Sequence, residues 1–181
     1  MKKVALFLAN GFEEIEALAT VDILRRAQIP VETISISDEK SVIGAHNVPV
    51  IADKTFDQAD FSGTEVLILP GGMPGAKHLN EHSALKQLIT KFNGEGKQVA
   101  AICAAPMVLG GLGLLKDKRA TCYPGFEAQL AGAQATGENV VVDGNIITGR
   151  GPGLAFDFAL RLVEQIAGLK TKQEVQNGLL L

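Results

Sequence analysis

Short, unbroken apolar runs that alternate with amphipathic helical stretches are the feature that most constrains this chain. Val4 to Ala9 is apolar at every position and ends at Asn10-Gly11. A strand that is apolar on both sides must be covered on both sides, as happens inside a parallel sheet. Glu13 to Ala27 then has helical spacing, with Ile15, Ala19, Ile23 and Ala27 as one stripe and Arg25 and Arg26 near the C-terminal end. Strands are predicted again at Val31 to Ile36, Val66 to Leu69, Val99 to Ile102 and Ile146 to Thr148. Helices are predicted through Leu85, Leu88, Ile89 and Phe92, and from Leu154 to Ala167. Val42 to Ile51 reads as a hairpin or irregular arm, because Pro49 is unsuited to a central strand. Such alternation implies right-handed crossovers and a mainly parallel sheet with helices on both faces. The fold class expected is a doubly wound α/β sandwich, as one domain over residues 1–181.

Composition narrows the function classes. The chain has 181 residues, enough to bury a sizeable core without a disulfide or metal staple. It is 46% hydrophobic with a formal charge of −3, which argues against disorder and against a phosphate-neutralising nucleic-acid surface. Two cysteines, Cys103 and Cys122, are too few for a secreted disulfide framework. The apolar run at the N-terminus is shorter than a signal-peptide core, and no run of about 18 apolar residues occurs. A soluble, cytoplasmic protein with no membrane partner is expected.

In doubly wound sheets ligands bind beyond the carboxyl ends of the strands. Four segments stand there: residues 10–16, 70–75, 103–106 and 149–153. Cys103 directly follows one strand and precedes Ala104, Ala105 and Pro106. A helix beginning near Pro106 puts its positive end by the sulfur, an environment that lowers a cysteine pKa from about 8.5 to roughly 3.5–7.5. A cysteine among alanines and isoleucine also serves simply as a small buried hydrophobe. Asn10 and Glu13 have the spacing of a helix N-cap with its reciprocal carboxylate, and Glu14 suits the first turn. Glu16 lies one step further in. Buried, its carboxyl is kept neutral and can donate to a thiolate; on an outer face it is an ordinary solvated glutamate. Gly71-Gly72 permits close backbone approach and can aim amides at an oxyanion, or serve the turn alone. His78 and His82 are one helical turn apart without a metal-binding signature, and read as exposed helix-end residues. Cys122, beside Tyr123 and Pro124, reads as a buried or site-lining thiol.

The segments Asn10-Gly11-Phe12-Glu13-Glu14-Ile15-Glu16, Val21-Asp22-Ile23-Leu24-Arg25-Arg26-Ala27, Leu69-Pro70-Gly71-Gly72, Ala100-Ala101-Ile102-Cys103-Ala104-Ala105-Pro106 and Arg150-Gly151-Pro152-Gly153 together resemble the ThiJ/PfpI superfamily, and within it the DJ-one branch of deglycase-like proteins. The resemblance spans nearly the whole chain. It implies a flavodoxin-like fold, usually a homodimer, with Cys103 as the reactive cysteine and Glu16 as its carboxyl partner. Gly72 and Ala104 are implied as backbone donors near the reacting oxygen, and no cofactor or metal is implied. His46 falls roughly where relatives send a basic residue across the dimer. Family proteases carry a histidine directly after the cysteine; Ala104 stands there, so peptidase activity is not expected. Some relatives also have a histidine where this chain has Tyr123. The implied activity is cofactor-independent conversion of reactive dicarbonyls such as glyoxal and methylglyoxal, or of glycated amino acids and proteins, through a Cys103 hemithioacetal. The alternative is an oxidative-stress sensor or redox-regulated holdase chaperone that uses oxidation of Cys103.

Overall fold

The computed structural model describes residues 2–181. Strand β1 (Lys3–Leu8) leads to helix α1 (Glu14–Arg26), then β2 (Val31–Ser35), β3 (Ser41–Ile43), β4 (Pro49–Ile51), β5 (Lys54–Thr55) and β6 (Thr64–Leu69). Helices α2 (Gly75–Glu81) and α3 (Ser83–Gly94) precede β7 (Gln98–Ile102) and α4 (Pro106–Gly111). Four short strands follow: β8 (Arg119–Ala120), β9 (Gln134–Ala135), β10 (Val140–Asp143) and β11 (Ile146–Gly149). Helix α5 (Ala155–Gly178) closes the chain, with a break at Gly168, whose φ is 88°.

Seven strands form the main sheet in the order β10-β11-β7-β6-β1-β2-β5. Every neighbour pair is parallel except β10 with β11, which closes one edge antiparallel. The alternation along β1 divides the core. Val4, Leu6 and Leu8 pack with Leu24, Phe158 and Leu162 from α1 and α5, while Ala5, Phe7 and Ala9 pack with Leu79, Ile89 and Phe92 from α2 and α3. This is the flavodoxin-like, doubly wound α/β architecture, with helices on both faces of a mainly parallel sheet. Residues 41–51 form the antiparallel hairpin β3–β4, outside the main sheet as Pro49 requires.

Three expectations need correction. First, α1 is rotated from its anticipated stripe. Ile23 and Ala27 are buried, but Ile15 is 54% exposed, and the inner face is instead Glu16, Ala17, Thr20, Val21 and Leu24. Docking on α5 and on the sheet end sets this rotation, and it turns a carboxyl inward where an isoleucine was expected. Second, no Asn10–Glu13 capping box forms. The helix starts at Glu14, Asn10 Oδ1 accepts from the amide of Ile43, and the Glu13 amide donates to the Gly71 carbonyl. These long-range partners outcompete the local cap. Third, His78 and His82 are half-buried rather than exposed. His82 caps α3 by accepting from the Leu85 amide at 3.0 Å and lies against Phe56, and His78 Nδ1 is 2.9 Å from the Asn10 carbonyl oxygen.

Candidate active site

The chain leaves β1 toward β2 on one side and later returns through β6 and β7 on the other, so the order reverses between β1 and β6. At such a reversal the loops diverge and a crevice opens beyond the strand ends. Here those loops are residues 9–13, 70–75 and 103–106.

Cys103 is the first residue after β7 and has φ 66°, the left-handed region that a residue with a β-carbon seldom occupies. Its amide donates to the Gly149 carbonyl at 2.9 Å, and its carbonyl accepts from the Tyr123 amide at 2.8 Å. Two strong backbone bonds thus hold a conformation that costs on the order of 1–3 kcal/mol. The sharp bend swings the thiol out of the sheet and under the Pro70-Gly71-Gly72 turn. A β-carbon built on Gly71 falls 2.5 Å from the Cys103 β-carbon and 2.8 Å from Glu16 Oε2, so only glycine lets the two acids meet. Gly72 has φ 89° and would meet the Glu13 amide at 2.4 Å, so glycine is required there as well.

Glu16 is wholly buried. Its Oε2 accepts from the Gly71 amide at 2.7 Å, while Oε1 has no hydrogen-bond partner among the described residues. Burial pushes this carboxyl up to about 7, against the downward pull of the Gly71 amide and the Cys103 thiol. Burial also pushes the Cys103 thiol up, and the facing Glu16 carboxylate adds to it, to about 12; the amides of Gly72 and Ala104 pull the other way. The expectation of a thiol lowered by its helix is therefore overturned for the state in which Glu16 is ionised. Helix α4 has only six residues, and its field is outweighed by burial and by the adjacent carboxylate. The two acids behave as one unit that holds a single negative charge: one proton leaves near neutrality and the second is retained.

The structure therefore brings together Cys103, Glu16 and the amides of Gly72 and Ala104. His46 lies apart, on the β3–β4 turn, where its ring and amide both bond the Glu14 carboxylate of the same chain. Cys122 is buried, and burial pushes its thiol up to about 11. From the sequence Tyr123 stands out only as a departure from relatives. Its ring instead forms one side of an opening of about 310 Å³ with Pro124 and residues 150–154. No spacing signals that opening, because residues 123–124 and 150–154 are joined by long-range bonds such as that of the Thr121 amide to Thr148 Oγ1. Among the described residues no helix is long and apolar enough to cross a membrane.

The sequence and the fold are matched by known proteins. The DJ-1/PfpI family profile matches residues 2–165. Protein dj-1beta of Drosophila melanogaster is 37% identical over 182 residues, covering 99% of this chain and 97% of its own. Its crystal structure superposes with a TM-score of 0.94 over 99% of this chain and 98% of that one. The glutathione-independent glyoxalase DJ-1 of Schizosaccharomyces pombe is 33% identical, with 92% of each chain covered. Against two Arabidopsis thaliana relatives, each 37% identical, the chain spans less than half their length, 42% and 47%. A profile match over most of the length, a superposable crystal structure and the convergence of three strand ends on one thiol agree: the chain belongs to the DJ-1/PfpI family.

Proposed function

We propose that this protein is a cofactor-independent enzyme of the glyoxalase and deglycase type, with Cys103 as nucleophile and Glu16 as proton carrier. The observation that carries this reading is the Cys103–Glu16 pair, two facing acids that share one negative charge near neutrality. With the proton on Glu16 the charge rests on sulfur, where the Gly72 and Ala104 amides support it. The thiolate adds to the aldehyde carbon of methylglyoxal, and the carbonyl oxygen takes the Glu16 proton. The resulting hemithioacetal loses its carbon-bound hydrogen to the Glu16 carboxylate, forming an enediolate. Return of that proton to the adjacent carbon leaves a thioester, which water cleaves to lactate and free thiol. Electrons come only from thiol, substrate and water, so the sequence needs no cofactor. A hemithioacetal or aminocarbinol on a glycated amino group enters by the same thiolate addition. Among the described residues no histidine joins the pair, which fits carbonyl chemistry better than peptide cleavage.

A second reading, oxidation sensing, draws on one contrast: Cys103 is half-buried at a site mouth, whereas Cys122 is 4% exposed. Peroxide attacks accessible thiolates first.

A homodimer is part of the same proposal. Ile15 and Leu18 on the outer side of α1, with Ile43, Val48 and Ile51 on the neighbouring arm, expose apolar side chains. A second copy related by a two-fold axis covers such a self-complementary patch.

Cys103→Ser is expected to abolish methylglyoxal consumption and lactate formation; unchanged turnover would falsify the enzyme reading. The rate of Cys103 alkylation is expected to inflect near pH 7 in the wild type. In Glu16→Gln the inflection should rise by about a unit or more, toward an ordinary thiol, because the amide cannot pass its proton to a base. An identical profile in both proteins would show that Glu16 does not share the proton. Limited peroxide should oxidise Cys103 before Cys122 in mass spectra, and equal oxidation removes the sensing reading. Sedimentation should show a dimer that Leu18→Glu with Ile51→Glu converts to monomer; a wild-type monomer sinks that part of the proposal.

A further inference from the structure

Two buried oxygens on the inner face of α1 have no hydrogen-bond partner among the described residues, and they belong to side chains one helical turn apart. One is Glu16 Oε1 and the other is Thr20 Oγ1. Both residues are 0% exposed. Residues i and i+4 lie about 40° apart around a helix, with β-carbons about 5–6 Å apart, and helical side chains lean toward the N-terminus. Thr20 therefore leans toward Glu16.

A buried hydroxyl without a partner is costly, and a threonine inside a helix is ordinarily satisfied by donating to the carbonyl four residues back. Here that carbonyl belongs to Glu16, and Thr20 does not bond it. The surroundings offer little else. Ala17, Val21 and Leu24 flank Thr20 on the same face and pack with Phe158, Ala159 and Leu162 of α5, all of them hydrocarbon side chains. The other buried acid of α1, Glu14, is held by the ring and amide of His46. Of the buried polar side chains on the helix, that leaves Glu16 and Thr20 to each other.

We propose that Thr20 is a positioning residue for Glu16, its hydroxyl donating to Oε1, directly or through one bound water, when the carboxyl is ionised. This role rests on the reading of Cys103 and Glu16 as an acid pair, and it adds the group that sets how the pair divides its charge. Oε1 has lone pairs for two donors, so the bond leaves one for a substrate. When Glu16 takes up the proton, the hydroxyl turns back to the Glu16 backbone carbonyl, the other acceptor open to a helical threonine. The titratable groups that face Glu16 are Cys103 beyond β7 and Glu13 ahead of α1. The α5 residues of this layer, Phe158, Ala159 and Leu162, carry no charge. Burial and Glu13 push the Glu16 carboxyl up, and the Gly71 amide and the Cys103 thiol draw it down. A further donor to the ionised form draws it down again, and so keeps more of the shared negative charge on Glu16 and less on sulfur.

The pH profile of alkylation by iodoacetamide, read at Cys103 by mass spectrometry in the full chain, tests this. Thr20→Val puts a methyl in place of the hydroxyl within a hydrocarbon layer, and Thr20→Ser keeps the hydroxyl. In Thr20→Val the inflection should rise by about 0.5 pH unit, and the plateau rate above it should rise by the same factor, about threefold. The acid limb should stay where it is, because there the thiol ionises beside a protonated Glu16 in both proteins. Thr20→Ser should follow the wild type, and in a Glu16→Gln background Thr20→Val should change nothing. An unmoved or lowered inflection in Thr20→Val, an equal shift in Thr20→Ser, or the same shift in the Glu16→Gln background would each overturn the role of Thr20 and leave the acid pair standing. A wild-type profile in Glu16→Gln alone would overturn the pair, and the role of Thr20 with it.

Discussion

One backbone conformation governs the site: the left-handed turn at Cys103, at the carboxyl end of β7. An L-residue there is strained, and what holds it is the sheet itself. The Cys103 amide bonds Gly149 at the end of β11, and its carbonyl is bound by the Tyr123 amide. Had the chain continued in an extended conformation, the thiol would have joined the alternation of β7 and packed into the core beneath a helix. The bend instead lifts the sulfur beyond the strand ends, where the loops after β1 and β6 also arrive. The position of the thiol is therefore a property of the parallel pairing of β6, β7 and β11.

The rotation of α1 supplies the other half. Helix α1 packs on α5 with Ala17, Val21 and Leu24 inward, and the 3.6-residue repeat then carries Glu16 inward on the same face. Burying a carboxyl without a partner is costly, and one amide, that of Gly71, meets only one of its oxygens. The remaining oxygen is left for whatever occupies the crevice. The same rotation turns Ile15 and Leu18 outward, so the inward carboxyl and the apolar outer patch are two results of a single packing choice.

Much of this was legible in the chain. The apolar runs at β1, β6 and β7 identify the buried parallel strands, the strand-end rule places Cys103, Glu16 and the Gly71-Gly72 turn among the candidates, and the family resemblance chooses them. Pro49 correctly keeps the 42–51 arm off the main sheet. The rest depended on long-range partners that local patterns do not carry. The Asn10–Glu13 spacing suggests a cap, but Ile43 and Gly71, distant in sequence, take those groups instead. The stripe through Ile15 follows from periodicity, yet the apolar positions of α1 allow more than one inner face, and α5 decides between them. Short elements such as α2, α4 and β8 lack enough residues to show a period at all. A helix start near Pro106 predicts a lowered Cys103 thiol, but depth of burial and the nearness of Glu16, which no local pattern carries, push it up.

Gly71 removes the one β-carbon that would separate thiol from carboxyl, so close packing alone sets the distance between the two acids. At that distance, away from bulk water, two negative charges are far more costly than one. The pair must therefore hold a proton over the whole neutral range, and the only freedom left is which of the two carries it. The amides of Gly72 and Ala104 favour charge on sulfur, and the amide of Gly71 favours charge on Glu16. With opposing donors on either side, the proposed mechanism needs only a small change at the orphaned Glu16 oxygen, such as a carbonyl substrate arriving, to move the proton. In the proposed reaction a separate base is then unnecessary, because the crowding that the glycine permits sets a thiol beside its own acid.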